Sequence, residues 1–502
     1  MYLAKVGALF LATGTFVSAT KHSSSSDEPS STSVGILPVE SPTWLPDFPL
    51  PKDVRTSYPT STPQISTTLS QETLNLDNYP EPWSSPNTNT SEIKAVMNAI
   101  DWTKVPKAPI RKAKKNGDLD MDSYNVDDDP YCWWSDTNCV KPKAKYLPED
   151  ITYCPRAGDW GLNYDDGPFN LAGDKELDKY AEPELYNFLA KTNNQKATLF
   201  YIGSNVATYP AAARRALNDG HVLCAHTWSH AQMTTQTNEQ VVAELYWTIR
   251  AIKEATGVTT KCWRPPYGDV DDRVRAIAHQ MGLQTIIWDQ DTDDWNMFGE
   301  GGGMLPTSTV DGYFTEWIKA AKKKTDTHGH IVLQHELNNA TVKMAEKWLS
   351  TLQENFNVVT IQQCMNISQP YWESNWVYPT EANPNVANTT ISSPITDNNN
   401  STSKSQPTST HKASSSSERA PTHATTHYAA DTTIKTDDYT ADASDNKDAS
   451  PTSNIELNAK TTDILLAVVD SELQISGALR NNADSSSLIA LAAASITYFF
   501  FN

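Results

Sequence analysis

Two adjacent carboxylates, Asp165 and Asp166, stand where an apolar run from Trp160 to Tyr164 meets Gly167-Pro168. A buried strand that ends this way delivers charge to the rim of a sheet or barrel, because Gly-Pro stops the extended chain. Successive side chains of an extended segment point to opposite sides, so one carboxylate can hold a metal while the other takes a proton. Taken alone, the segment reads more simply as a strand followed by an acidic turn. Polar residues recur, however, at the ends of later apolar runs. His226-Thr227-Trp228-Ser229-His230 follows Ala225, and Arg264-Pro265-Pro266-Tyr267 follows Trp263. Asp289, Asp291, Asp294 and Trp295 follow Trp288, and Gln334-His335-Glu336 follows Leu333.

His226 and His230 are four residues apart, and on one helical turn both imidazoles would face a single ion. Asp166 would complete an Asp-His-His set that leaves positions for water and a substrate oxygen, the pattern of a catalytic metal site. No glutamate stands between the histidines, which excludes the H-E-x-x-H arrangement of zinc proteases. Hydrolysis at such a centre needs a base beside it, and Asp165 is adjacent. It needs an acid for the leaving group, and a histidine such as His335 titrates in a suitable range. Arg264 can pair with Asp165 and hold it in place. Two prolines stiffen the turn before Tyr267, whose backbone N–H could then be fixed towards a developing oxyanion.

The elements that must position these groups lie within residues 150–370. Short apolar runs at Gly161–Tyr164, Ala197–Ile202, His221–Ala225, Lys261–Trp263, Gln284–Trp288, His330–Leu333 and Val358–Ile361 read as strands. Helical patterns lie between them, at Pro183–Lys191, Pro210–Asn218, a long one opened by the capping box Thr237 to Gln240 and stopped by Gly257, Asp271–Met281, Val310–Lys324 and Thr341–Asn355. This alternation implies parallel strands with right-handed crossovers. The predicted fold is α/β, a distorted (β/α) barrel, complete or incomplete, with an open doubly wound sheet as the alternative. In a barrel the strand C-termini converge on one face, which is where the polar residues above fall.

The flanks have another character. The chain has 502 residues and a formal net charge of -20, which argues against a nucleic-acid partner. Residues 1–19 read as a secretory signal, with Lys5 before an apolar Val6–Val17 and the small-residue end Val17-Ser18-Ala19. Residues 20–90 are Ser/Thr/Pro-rich and are expected to be disordered; 91–149 read as an ordered extension; 371–475 read as a Ser/Thr/Asn-rich stalk. Residues 476–502 pair a small and polar stretch with an apolar Leu488–Phe501, the pattern of a GPI-attachment signal, with Asn481, Asn482 and Ala483 as candidate sites. Secretion, attachment to plasma membrane or wall, and glycosylation at sequons such as Asn89, Asn339 and Asn366 are therefore expected. The six cysteines of a secreted chain favour disulfides, and Cys132 and Cys139 are near enough for a local bridge. Trp133 and Trp134 between them suit a core more readily than a sugar-stacking surface. Nothing in the sequence points to an obligate protein partner.

The motifs Asn163 to Pro168, His226 to His230, Arg264 to Tyr267, Asp291 to Trp295 and Val332 to His335 resemble, in order and spacing, those of the polysaccharide deacetylase (NodB homology) domain of carbohydrate esterase family 4. The flanks, with Ile100 to Lys104, Cys132 to Trp134 and the Ser/Thr-rich tail, look like those of fungal chitin deacetylases. The resemblance implies Asp165 as general base, His335 as general acid, Arg264 as the residue that orients the base, and Asp291 as the acid that supports His335. It implies Asp166, His226 and His230 as ligands of one divalent metal ion, zinc or cobalt. It implies Tyr267 as the oxyanion donor, and Trp295 and Leu333 as walls of an acetyl pocket. The implied reaction removes N-acetyl groups from chitin and its oligosaccharides. An acetyl esterase acting on xylan, a peptidoglycan deacetylase and an inactive wall-binding glycoprotein are the alternatives. Asn163-Tyr164 departs from the usual Thr-Phe of the first motif, a change expected to leave the chemistry intact. Cys154 and Cys364 bracket the domain and would close it if bridged. Cys224 and Cys262, each two residues before a motif, are expected either to pair or to remain a buried thiol pair.

Overall fold

The computed structural model describes residues 41–385, apart from 62, 64, 66, 67, 116, 123, 170–182, 300 and 301. The secretory signal at 1–19, the start of the 20–90 segment, most of the 371–475 stalk and the anchor signal at 476–502 lie outside the described residues.

Within them the apolar runs form short strands: β1 (Asp159–Gly161), β2 (Asn163–Asp165), β3 (Thr198–Tyr201), β4 (Val222–Ala225), β5 (Cys262–Trp263), β6 (Gln284–Thr285), β7 (Gln290–Asp291), β8 (Val332–Leu333) and β9 (Asn357–Val359). Every strand pair is parallel. Strands β2 to β6 follow one another in a single sheet, β7 pairs with β8, and β1 pairs with β9. Bridges between Trp160 and His330 and between Asp165 and His335 join the β8 segment to β1 and β2. Since β6 and β7 lie on one stretch of chain, the parallel pairings run round a ring. The architecture is a distorted ring of short strands rather than an open doubly wound sheet.

Helices fill the crossovers and the extension: α1 (Ser91–Ala99), α2 (Trp134–Thr137), α3 (Glu184–Lys191), α4 (Gly203–Thr208), α5 (Pro210–Asp219), α6 (Asn238–Thr256), α7 (Asp272–Gln280), α8 (Thr307–Lys323), α9 (Asn339–Asn355) and α10 (Ile361–Cys364). The capping box that opens α6 is formed in both directions between Thr237 and Gln240, and Gly257, at φ 78, ends the helix. Asp271 caps α7 by accepting from the Val274 N–H. Helix α4 has no apolar period to announce it. It is held because its first residue, Gly203, packs against Thr248 of α6 and the ring of Trp228.

The structure corrects two boundaries. The described residues of 41–90, expected to be disordered, are packed on the domain as an irregular strap. Leu45, Val54 and Tyr79 are buried, and Tyr79 stacks on Trp228 with ring centroids 5.6 Å apart and donates to Glu254. Isolated anchors spaced along an extended chain leave no period, so composition outweighed them in the sequence. The same holds at the start of the 371–475 segment, where Tyr371, Trp376 and Tyr378 are buried. The hydroxyl of Tyr371 accepts from the Leu223 N–H, and that of Tyr378 donates to the His221 carbonyl.

Three disulfides join Cys132 to Cys139, Cys154 to Cys364 and Cys224 to Cys262. The last resolves the alternative left by the sequence and ties β4 to β5. Trp133 is buried, with its indole N–H donating to Asp269 and the Arg111 guanidinium over its ring, so it belongs to the core.

A Cβ at Gly203 would lie 2.7 Å from the Thr248 hydroxyl and 2.8 Å from its Cα. Backbone cannot yield there as a flexible side chain would, so Gly203→Ala is expected to cost about 1–3 kcal/mol. Thermal or urea denaturation checks this; an unchanged midpoint would contradict the packing.

Candidate active site

Strand alternation ends at Asp165. The next residue, Asp166, has φ 77, and this left-handed turn brings its carboxylate round to the side that Asp165 faces. The expectation that the two would point apart is therefore replaced by convergence. His226 Nε2 lies 3.8 Å from Asp165 Oδ2 and 3.4 Å from Asp166 Oδ1, and His230 Nε2 lies 3.3 Å from the same Asp166 oxygen. That oxygen is buried and has no hydrogen-bond donor among the described residues.

The histidines do not sit on a helical turn. Residues 226–230 form a loop in which Thr227 and His230 have φ 65 and 57, and this left-handed backbone aims the two rings at one point. Glu244, wholly buried on α6, holds the loop. One of its oxygens accepts from the N–H groups of Trp228 and Ser229 at 2.9 and 2.8 Å, and the other from the Ser229 hydroxyl at 2.6 Å. His226 Nδ1 is 2.8 Å from the Arg264 carbonyl. A carbonyl only accepts, so Nδ1 carries the proton and the Nε2 lone pair faces Asp166. Burial pushes the His230 imidazolium down to about 4, so this ring is neutral, as a ligand must be. Two aimed lone pairs around an unpartnered buried carboxylate oxygen fit a divalent cation, and the three groups lie within ligating reach of one another.

Arg264 is fully buried, and four of its five N–H groups are bonded. Its Nη1 donates to Asp165 Oδ1 at 2.7 Å and to Asn163 Oδ1 at 2.6 Å, Nη2 to the Ile287 carbonyl, and Nε to the Ile286 carbonyl, with the guanidinium 4.0 Å from the Phe200 ring centroid. Asn163, set aside in the sequence as a departure without consequence, thus shares a donor with Asp165. Its own amide donates to the carbonyls of Gly161 and Val332. Beyond Arg264, Tyr267 has φ 58 in a 3₁₀ turn whose hydrogen bonds are donated by Gly268 and Asp269. Its ring lies 4.7 Å from that of His230. Asp269 anchors this turn from beneath, accepting from Trp133, Ser135 and Thr234.

His335 is the cross-strand neighbour of Asp165. Its Nδ1 lies 2.6 Å from Asp294 Oδ1, and its backbone N–H donates to Asp294 Oδ2 at 3.0 Å. Asp294, not Asp291, is therefore the carboxylate behind His335. The correction has a local cause: Asp291 is still in strand β7, where its oxygen accepts from the Asp293 N–H. Asp293 then takes φ 52 and turns the chain so that Asp294 reaches across. Burial alone would lower the His335 pKa, but the charge and hydrogen bond of Asp294, together with the charges of Asp166 and Asp165, outweigh it and raise it to about 10. Burial raises Asp291 to about 7. Trp295, 44% exposed, lies in the short turn after Asp294, and Leu333 is buried at the end of β8 two residues before His335.

Asp165, Asp166, His226, His230, Arg264 and His335 are thus brought together. Glu244, Asn163, Asp269 and Asp294 were missed as supports. Glu244 left a trace in the sequence, since it is a charge inside the run Val241 to Tyr246 that is otherwise apolar.

Residues 152–286 match a family model described as polysaccharide deacetylase. The chain is 42% identical over 306 residues to a chitin deacetylase of Amylomyces rouxii, covering 60% of this chain and 69% of the relative. It is 45% identical over 259 residues to a chitin deacetylase 2 of Cryptococcus neoformans var. neoformans, covering 51% of this chain and 54% of the relative. A solved structure, of the chitin deacetylase from Colletotrichum lindemuthianum, is similar at 25% identity with a TM-score of 0.36, over 43% of this chain and 92% of that one.

Glu244→Ala would leave two loop N–H groups without their acceptor. It is expected to weaken zinc affinity about 10- to 100-fold, as loss of a group behind a ligand commonly does. Glu244→Gln keeps one acceptor and should fall between. Zinc titration beside a melting curve checks this, and an unaltered zinc affinity in Glu244→Ala would show that the loop holds itself.

Proposed function

The chain belongs to the polysaccharide deacetylase family, and on that premise we propose that it is a chitin deacetylase, releasing acetate from N-acetylglucosamine units. The observation that carries the reading is the cross-strand pairing of Asp165 with His335 beside the Asp166, His226 and His230 cluster. A base and an acid then flank one cation position, as hydrolysis of an amide requires.

Asp166, His226 and His230 would hold one divalent ion, zinc or cobalt, both of which suit an imidazole and carboxylate set. When bound, the ion supplies Lewis acidity towards the acetyl carbonyl and makes water a better nucleophile. Asp165, oriented by Arg264, takes a proton from the attacking water as its oxygen bonds to the carbonyl carbon. The Tyr267 N–H donates to the oxyanion of the tetrahedral intermediate. His335 enters as the imidazolium that Asp294 sustains, and donates its Nε2 proton to the departing nitrogen as the C–N bond breaks. Acetate and a glucosamine unit result, with no covalent enzyme intermediate. Trp295 and Leu333 are proposed to border the acetyl methyl. Asp291 is assigned no part in supporting His335.

The signal-like residues 1–19 and the apolar Leu488–Phe501 support delivery to the cell surface with a GPI anchor, and release by phosphatidylinositol-specific phospholipase tests that placement.

Acetate release from chitin oligomers, with and without chelator, tests the function. Asp165→Asn is expected to lower kcat on the order of 10²- to 10⁴-fold while leaving zinc bound. Release from acetylated xylan but not from chitin would replace the amide by an ester substrate. Absence of release from both would favour an inactive wall glycoprotein.

The pH profile tests the acid. Only protonated His335 can donate, so activity falls as pH rises through its pKa, and Asp294 holds that pKa above its ordinary value. Asp294→Asn removes the largest raising influence and leaves burial opposed only by the charges of Asp166 and Asp165, so the alkaline limb of kcat should move to lower pH. An unmoved limb would remove His335 as the acid.

A further inference from the structure

Strand β8 carries a second histidine at its other end. His330 precedes β8 as His335 follows it, and the offset to the facing aspartate is the same in both pairs. His330 Nδ1 lies 2.6 Å from Asp289 Oδ2, as His335 Nδ1 lies 2.6 Å from Asp294 Oδ1. The two histidines are five positions apart on extended chain, about 16 Å, so the lower pair has no part in the catalytic cluster. The lower pair also has a neighbour that the upper lacks. His328 Nδ1 lies 3.9 Å from the same Asp289 oxygen and donates to the Gly329 carbonyl at 2.8 Å, and ligating atoms of Asp289, His328 and His330 lie within 4.8 Å of one another.

We propose that Asp289, His328 and His330 form a second divalent-cation site, for a first-row transition ion such as zinc, at the amino end of β8. Asp289 is oriented for ligation: its Oδ1 accepts from the Ile331 N–H at 2.7 Å, which leaves Oδ2 facing both imidazoles. His330 is oriented too. Nδ1 faces Asp289, while Nε2 faces Asp326 Oδ2 at 3.7 Å, so a carboxylate stands behind the ring on the side away from the ion. That is the arrangement by which outer carboxylates fix ligating histidines. The ion replaces the proton between His330 and Asp289, whose 2.6 Å contact opens to about 3 Å as two bonds of about 2 Å require, and His328 exchanges its bond to the Gly329 carbonyl for the ion. Solvent can supply the remaining positions, because the His328 side chain is 36% exposed while those of Asp289 and His330 are 13% and 10% exposed. Two imidazoles and one carboxylate select zinc, copper, nickel or cobalt over magnesium or calcium. The bound ion pins the loop after α8 to the β7–β8 ladder, a structural role separate from the hydrolytic one.

Zinc binding to the full chain, stripped by chelator and followed by equilibrium dialysis, tests this. The wild type is expected to hold two ions per chain, and His328→Ala one, with acetate release retained as proof of folding. The double variant His226→Gln/His230→Gln, which lacks the catalytic ligands, is expected to keep one ion. Adding Asp289→Asn to that variant should abolish it. Zinc should also raise the melting temperature of the double variant but not after Asp289→Asn. A wild type that binds one ion, lost in the double variant, overturns the proposal. So does a second ion that survives His328→Ala, since His411, His423 and His427 would then be its source. If His328→Ala does not fold, the double and triple variants still decide.

Discussion

A guanidinium cannot shed its charge, and Arg264 is buried without contact with water. Everything around it answers to that. Asp165 and Asn163 take one nitrogen, the carbonyls of Ile286 and Ile287 take the others, and Phe200 lies beneath the plane. Removing one member of such a pair leaves a bare buried charge, which typically costs about 3–5 kcal/mol. The arginine therefore fixes the β2, β5 and β6 segments relative to one another, and with them the side of Asp165 that is left to do chemistry. Through its own carbonyl it also sets the His226 tautomer. One residue thus couples the base to a metal-binding ring.

Left-handed backbone is the second constraint. Asp166, Thr227, His230, Tyr267 and Asp293 all have φ between 52 and 77. None is glycine, so each conformation is uphill and persists only where surroundings impose it. Those surroundings are visible: Glu244 under the histidine loop, Asp269 under the Tyr267 turn, and the hydroxyl of Thr292, which accepts from the Asp294 N–H and donates to the Leu333 carbonyl. The 91–149 extension takes part, because Trp133 and Ser135 reach Asp269 and the ring of Trp134 lies against Gly268. The extension is thus part of the scaffold that shapes the site.

Aspartate–histidine pairing along the β7–β8 ladder recurs at both ends, yet its setting differs. At the carboxyl end the strands converge, and the pair meets Asp165, Arg264 and the Asp166 cluster. At the amino end it meets β1 and the loop after α8. Parallel strands of equal register make such repetition natural, since facing residues keep the same offset along both strands.

Spacing alone determined much of this protein. Polar residues after apolar runs located the site, because alternating strands and helices in one chain bring strand ends to a common face. The capping box at Thr237 and the glycine stop at Gly257 bounded α6, because caps are local chemistry. Other matters were decided only in three dimensions. The sequence placed the supporting acid at Asp291, and a positive φ at Asp293 moved the role to Asp294. It placed the histidines on a helical turn, and a loop clamped by Glu244 aims them instead. It read 20–90 as disordered, and a few isolated aromatic and aliphatic anchors tie the described part of that segment to α6 and its neighbours. In each case the deciding feature is a backbone turn or a contact outside the segment, and neither leaves a period, cap or spacing in the residues it controls.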